Sequence, residues 1–160
     1  MAKVFTLYLS TQTPAGSLYA PINTNNFSII TWQVNWNALY GGQNFEGEER
    51  SARVKFNLRS LSQSAVLTDA NNTGVLAIQG ISNQYSNSQN GLVLGFVNPA
   101  NEPVGAGTNH ILVGDSLETL GVQCNLPIGY APISVLLLDR TGALMTNTTN
   151  YQLILQFEME

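Results

Sequence analysis

The sequence predicts an all-β domain built as a sandwich of two antiparallel sheets, and three observations carry this. Apolar and polar residues alternate with period two along much of the chain, while 3.6-residue periodicity is nearly absent. The alternating runs are bounded by Gly, Pro and Asn groups that suit chain reversals. Several connections are long, as crossovers between sheets require and a simple meander does not.

Lys3–Ser10 sets Phe5, Leu7 and Leu9 on one face. Phe27–Trp36 follows, with Ile30, Trp32, Val34 and Trp36 on one face. Arg50–Arg59 is the clearest run: Ala52, Val54, Phe56 and Leu58 point one way, and Arg53, Lys55, Asn57 and Arg59 the other. Such a strand has one dry and one wet face. Gly74–Gly80 and Leu92–Val97 are short apolar runs with β-branched residues, and His110–Val113 is a weaker one. Leu117–Cys124, Ile133–Leu138 and Tyr151–Met159 complete the set, the last alternating Tyr151, Leu153, Leu155 and Phe157 against Gln152, Ile154, Gln156 and Glu158.

Between these runs lie Pro14-Ala15-Gly16, Gly41-Gly42, Asn71-Asn72-Thr73-Gly74, Asn90-Gly91 and Asn98-Pro99, all turn chemistry. Asp139-Arg140-Thr141-Gly142 predicts a hairpin turn closing in a glycine bulge. Thr11–Asn26 and Asn98–Asn109 read as long loops. About eight to ten strands with long crossovers fit a single jelly roll, in which about eight strands form two sheets through Greek-key connections. No internal repeat or linker divides the chain, so one domain is expected over residues 1–160.

Composition narrows the function. Hydrophobic residues make up 44% of the 160 residues, enough for a core, and charged residues only 10%. An ordinary globular protein carries roughly 25% charged residues. Asn, Gln, Ser and Thr fill the difference, and a polar, weakly charged surface (formal net charge −4) suits dense packing against neighbours. A secreted or carbohydrate-binding β-domain shares this composition.

One cysteine, Cys124, rules out an internal disulfide framework and reads as a small buried apolar residue. Met1–Phe5 lacks the charged start and apolar run of a signal peptide, and no apolar stretch approaches a membrane span, so synthesis in the cytoplasm is expected. The sequons at Asn26, Asn71 and Asn147 would then stay unmodified.

Catalytic chemistry is hard to assemble. His110 is the one histidine, and with Cys124 it cannot build a zinc site or a nucleophile triad. The acidic residues fall at turns and loops: Asp69, Glu102, Asp115, Asp139 and the cluster Glu46, Glu48 and Glu49. No glycine loop of phosphate-binding type is present. The reading is of a protein that binds rather than catalyses, with no catalytic, metal or cofactor residues and no cofactor.

Four of the six basic residues, Arg50, Arg53, Lys55 and Arg59, share one strand, and Arg53, Lys55 and Arg59 share its wet face. Three readings compete: a solvated strand face, a protein-contact face, and a nucleic-acid patch. A net acidic chain and a small patch disfavour nucleic acid, so Arg53, Lys55 and Arg59 read either as a solvated strand face or as a candidate protein-contact face. Trp32 and Trp36 fit core packing beside Ile30 and Val34; exposed, they would offer a sugar platform.

Asp115-Ser116-Leu117-Glu118, then Ile133 to Asp139, then Asn147 and Tyr151 to Glu158 resemble the small single jelly-roll proteins of large icosahedral double-stranded DNA viruses. The likeness is one of strand pattern and ending and covers roughly the last 45 residues. It implies a minor capsid or penton component: a structural protein of the virion, made in the host cell cytoplasm. The implied partners are other capsid proteins, including a major double jelly-roll capsid protein, in a homo- or hetero-oligomeric shell. The family offers no catalytic residues to carry over. The first strand starts at Lys3, a departure from members with long N-terminal arms, so the likeness does not choose between a penton and a minor position. The alternative is a carbohydrate-binding or lectin-like β-sandwich module.

Overall fold

Residues 3–23, 25–39, 50–60, 74–81, 91–100, 111–116, 119–145 and 148–159 are described by a computed structural model of the chain. The strands are β1 (Lys3–Ser10), β2 (Pro21–Asn23), β3 (Ile29–Asn35), β4 (Arg50–Ser60), β5 (Gly74–Gln79), β6 (Leu92–Pro99), β7 (Leu112–Ser116), β8 (Val122–Leu126), β9 (Tyr130–Asp139) and β10 (Tyr151–Met159). One helical turn, α1 (Trp36–Leu39), follows β3. The fold is all-β and barrel-like, and every strand pairing is antiparallel. Hydrogen bonding orders the strands β1-β10-β4-β7-β6-β5-β9-β3-β2, with β8 beside β4.

Period two in the sequence becomes period two in burial. Along β10 the odd residues from Tyr151 to Met159 are buried and the even ones exposed. β4 does the same with Ala52, Val54, Phe56 and Leu58 inside. One core cluster collects Leu7 and Leu9 from β1, Leu153, Leu155 and Phe157 from β10, and Ile30, Trp32 and Val34 from β3. Strands far apart in the order therefore meet across the interior. Trp32 packs edge-on to Tyr151 with ring centroids 6.2 Å apart, and Trp36 edge-on to Phe157 at 5.7 Å. Burying side chains of this size contributes about 1.5–3 kcal/mol each.

Several boundaries differ from the sequence expectation. The run Phe27–Trp36 forms a strand only over Ile29–Asn35. Asn35 ends it as a helix cap, its Oδ1 accepting the Ala38 N–H at 3.2 Å. Trp36 thus enters the core from α1, its N–H donating to Gly129 O at 2.9 Å. β2 lies inside the stretch Thr11–Asn26, which reads as loop; three residues give alternation too little length to show. Asn98 and Pro99 end β6 rather than open a loop, and Ala100 N–H extends the pairing to Ile111 O at 2.7 Å. The Asp139–Gly142 turn has the expected form: Gly142 N–H donates to Asp139 O at 3.0 Å, with φ +85° at Gly142. Among the described residues no helix is long and apolar enough to cross a membrane. Gly41, Gly42, Asn71, Asn72, Thr73, Asn90, residues 101–109 of the expected loop, Leu117, Glu118 and Asn147 lie outside the described residues.

Candidate protein-contact face

The face begins with the alternation of β4. Its inward residues anchor the strand in the core, so Arg53, Lys55, Asn57 and Arg59 must leave by the other side. Arg53 and Lys55 are half-buried, and Asn57 and Arg59 are exposed. Arg59 stands one position beyond Asn57 in this row, so the three cations form a broken stripe. The placement of these three follows the sequence expectation; Arg50 belongs to the same strand.

Strand pairing supplies their neighbours. On β10, Glu158 stands opposite Arg53, Gln156 opposite Lys55, Ile154 opposite Asn57 and Gln152 opposite Arg59. On the other side Gln123 of β8 stands opposite Arg53, while Asp115 and Val113 of β7 stand opposite Asn57 and Arg59. β1 adds Val4 opposite Glu158 and Tyr8 opposite Ile154. β6 adds Phe96 opposite Asp115. One row therefore crosses five strands: Tyr8, Ile154, Asn57, Asp115 and Phe96. Its ends are apolar and exposed, Tyr8 at 52% and Phe96 at 58%. Opposite charges facing across strands, as Arg53 and Glu158 do, stabilise by about 0.2–1 kcal/mol.

A break in the sheet deepens the middle of this face. The run Leu117–Cys124 reads as one strand, but β7 stops at Ser116 and β8 starts at Val122. β7 pairs with β4 at Asn57–Arg59 and β8 at Arg50–Val54, so neither reaches Lys55 or Phe56. Ser116 fills the missing ladder position: its Oγ accepts Phe56 N–H at 2.7 Å and lies 3.4 Å from Phe56 O. Gly121 returns the chain with φ +87°, where a Cβ would lie 2.8 Å from Val54 O. Arg53 Nη1 donates to Gly121 O at 3.3 Å and ties the strip to this return.

The break leaves a depression of about 430 Å³ lined by Lys55, Asn57, Asp115, Ser116, Thr119 and Gln156, among others. Asn57 and Asp115 also line a neighbouring hollow of about 360 Å³ with Phe96 and Asn98. Lys55 and Gln156 also line a smaller one of about 110 Å³ with Arg53, Glu158, Val4 and Leu120. The three form a continuous strip with both charge signs, amides and isolated apolar side chains. Its outer side offers hydrogen-bond donors and acceptors.

Sequence reasoning located the cations but not Asp115, Ser116, Glu158 or Phe96 as their neighbours. For Glu158 a partial signal exists, since alternation places it with Gln152, Ile154 and Gln156. For the others no local signal exists, because strand adjacency is a long-range property.

The remaining candidates fall elsewhere. Trp32 and Trp36 are both 0% exposed. Neither can serve as a sugar platform. Cys124 is buried, and burial pushes its thiol up to about 12, so it stays protonated and inert near neutral pH. Asp139 accepts from Thr141 Oγ at 2.6 Å within its own turn, and this hydrogen bond, with the backbone bonds of the turn, holds its carboxyl below the usual carboxylate range. Among the described residues no three His, Cys, Asp or Glu side chains cluster as a metal site. His110, Glu46, Glu48, Glu49, Asp69 and Glu102 lie outside the described residues. No family model, curated protein or solved structure matches the chain.

Proposed function

We propose that this chain is a single jelly-roll structural component of an icosahedral viral capsid, in a minor capsid or penton position. The observation that carries the reading is a nested pairing. β1 pairs with β10, β3 with β9, β4 with β7 and β8, and β5 with β6. If β7 and β8 count as one interrupted strand and β2 as an addition to the edge, eight strands remain. The first pairs with the last, the second with the seventh, the third with the sixth and the fourth with the fifth. Two Greek keys wrapped from one antiparallel ribbon have this order. Its two sheets are then β1-β10-β4-β7 and β3-β9-β5-β6.

The surface agrees with a building role. A chain with 10% charged residues can be packed on several sides without stranding many charges. The strip around Arg53, Lys55 and Arg59 carries complementary charges that would set register with a neighbour more than affinity. The partners in this reading are other capsid proteins, including a major double jelly-roll protein, and symmetry multiplies weak contacts into a stable shell. The carbohydrate-binding alternative loses its main support with the burial of Trp32 and Trp36.

Mass spectrometry and electron microscopy of purified virions test the reading. The expected result is a stoichiometric component with density for one small sandwich beneath or between larger capsomers, or at vertices. Absence from the particle overturns it.

A further inference from the structure

The two ends of the strand order are finished differently. β2 is a three-residue strand that opens with Pro21, a blunted edge. β1 runs for eight residues without proline and, among the described residues, pairs with β10 alone.

One hydrogen bond shows which groups face the open side of β1. Thr11 N–H donates to Tyr151 O at 3.1 Å, one step beyond the Ser10–Gln152 register. Residues in an antiparallel ladder alternate between facing the partner strand and facing away. Thr11 faces β10, so Leu9, Leu7 and Phe5 face it too. Tyr8, Thr6 and Val4 then turn their N–H and C=O groups to the open edge. Ser10 closes that edge at one end, its C=O accepting Thr13 N–H at 3.3 Å. The side chains of Val4, Thr6 and Tyr8 are exposed, Val4 and Tyr8 at 52% each.

We propose that a second copy of this chain pairs antiparallel along β1, about a twofold axis through Thr6. Val4 then lies opposite Tyr8 of the second copy, Thr6 opposite its own counterpart, and Tyr8 opposite Val4. Each of the three residues exchanges both backbone hydrogen bonds with its counterpart. The outer face gains two aromatic–β-branched pairs and one Thr–Thr pair, the combinations that stabilise neighbouring strands. The register is self-complementary, as a twofold contact requires. None of the three residues is charged, so two copies of a chain with formal net charge −4 meet here without like charges facing. A three-residue ladder buries well under the roughly 1,200 Å² of a stable interface, so the isolated dimer dissociates on the order of 0.1–1 mM. The edge offers this pairing whether or not the chain belongs to a shell.

Cross-linking of the intact chain tests it. A hydrogen-bonded antiparallel pair holds its Cα atoms about 5.5 Å apart, within disulfide range. Thr6→Cys under mild oxidation is expected to yield a linked dimer. Gln152→Cys, exposed on β10, serves as the control and is expected to stay monomeric. Cys124 is 1% exposed and does not compete. Sedimentation of the unmodified chain from about 10 µM to about 1 mM should show a concentration-dependent dimer. Thr6→Lys, which sets two ammonium groups face to face on the axis, should return it to monomer with an unchanged circular dichroism spectrum. Equal cross-linking of Thr6→Cys and Gln152→Cys overturns the proposal. So does a dimer that survives Thr6→Lys, or a chain that stays monomeric alone and pairs β1 with a different protein.

Discussion

β10 and β9 are both long interior strands, yet they meet their surroundings differently. β10 alternates buried and exposed residues without a break. In β9 the four residues from Val135 to Leu138 are all buried. Val135 and Leu137 face the main core; Leu136 and Leu138 face the other side, where they pack with Ala77, Ile29, Val75, Val93 and Leu144. The segment after β9 folds back to provide part of this cover. Asp139 N–H donates to Ala143 O and Met145 N–H to Leu137 O, each at 2.8 Å, and Leu144 bridges to Leu138. A sheet buried on both faces reads as a continuous apolar run, and one buried on a single face alternates. The difference directs attention to the β1-β10-β4-β7 side, where the cations and the strip of hollows lie.

Matched truncations break or sharpen this comparison most strongly. Leu136 and Ile154 both point away from the main core, one at 4% exposure and the other at 44%. Leu136→Ala is expected to cost about 2–4 kcal/mol, because it leaves a cavity under a fixed cover. Ile154→Ala should cost less than about 1 kcal/mol. Urea denaturation of both variants measures the gap. Equal losses would mean that the outer side of β9 is no better covered than that of β10.

The same contrast shows what can be read before a structure. Alternation placed β1 and β10 at their full extents and β4 to within one residue, because a wet face and a dry face leave a period-two record. It also grouped Arg53, Lys55 and Arg59. The break between β7 and β8 leaves no such record: Leu117–Cys124 stays apolar enough to read as one strand, and the interruption depends on Ser116 and Gly121 meeting β4. The depression beside Lys55 was therefore invisible, as were Asp115 and Phe96 as its neighbours. Trp36 could be placed in the core but not in a helix, since that outcome rests on one cap at Asn35. The nested strand order depends on contacts between residues far apart in sequence, which a local pattern cannot encode.

The inward face of β10 contains a second, smaller asymmetry. Tyr151 is 1% exposed, and among the described residues neither its hydroxyl nor the indole N–H of Trp32, whose ring it packs against, has a hydrogen-bond partner. Burial raises the phenol pKa, so the group stays neutral but unsatisfied. A buried polar group left unpaired costs about 1–3 kcal/mol. Tyr151→Phe removes the hydroxyl and keeps the ring against Trp32. It is expected to raise stability by about 1 kcal/mol and the melting temperature by about 2–4 °C. Tyr8→Phe on the wet face should leave stability within about 0.5 kcal/mol of the unmodified chain. A destabilised Tyr151→Phe variant, read by thermal denaturation, would show that the hydroxyl has a partner.

The smallest expected effect lies at Asp139, where β9 gives way to the segment that covers it. Its carboxylate accepts hydrogen bonds from Thr141 Oγ at 2.6 Å, Thr141 N–H at 2.8 Å and Ala143 N–H at 3.2 Å. These bonds favour the ionised form, and the Thr141 hydroxyl contributes most to lowering the pKa. An unfolded aspartate titrates near 3.9. Because the folded value lies below this, the stabilisation is complete above about pH 5 and is lost as pH falls through the folded pKa. The group is solvent-facing, so screening keeps the contribution small. Asp139→Asn keeps one acceptor but cannot ionise, so it should remove this part of the acid-side slope while changing neutral-pH stability little. NMR titration of the Asp139 carboxyl, paired with urea denaturation of both proteins between about pH 2 and pH 5, measures the two sides of the linkage. A midpoint at or above 3.9 would detach the turn from the acid sensitivity of the cover.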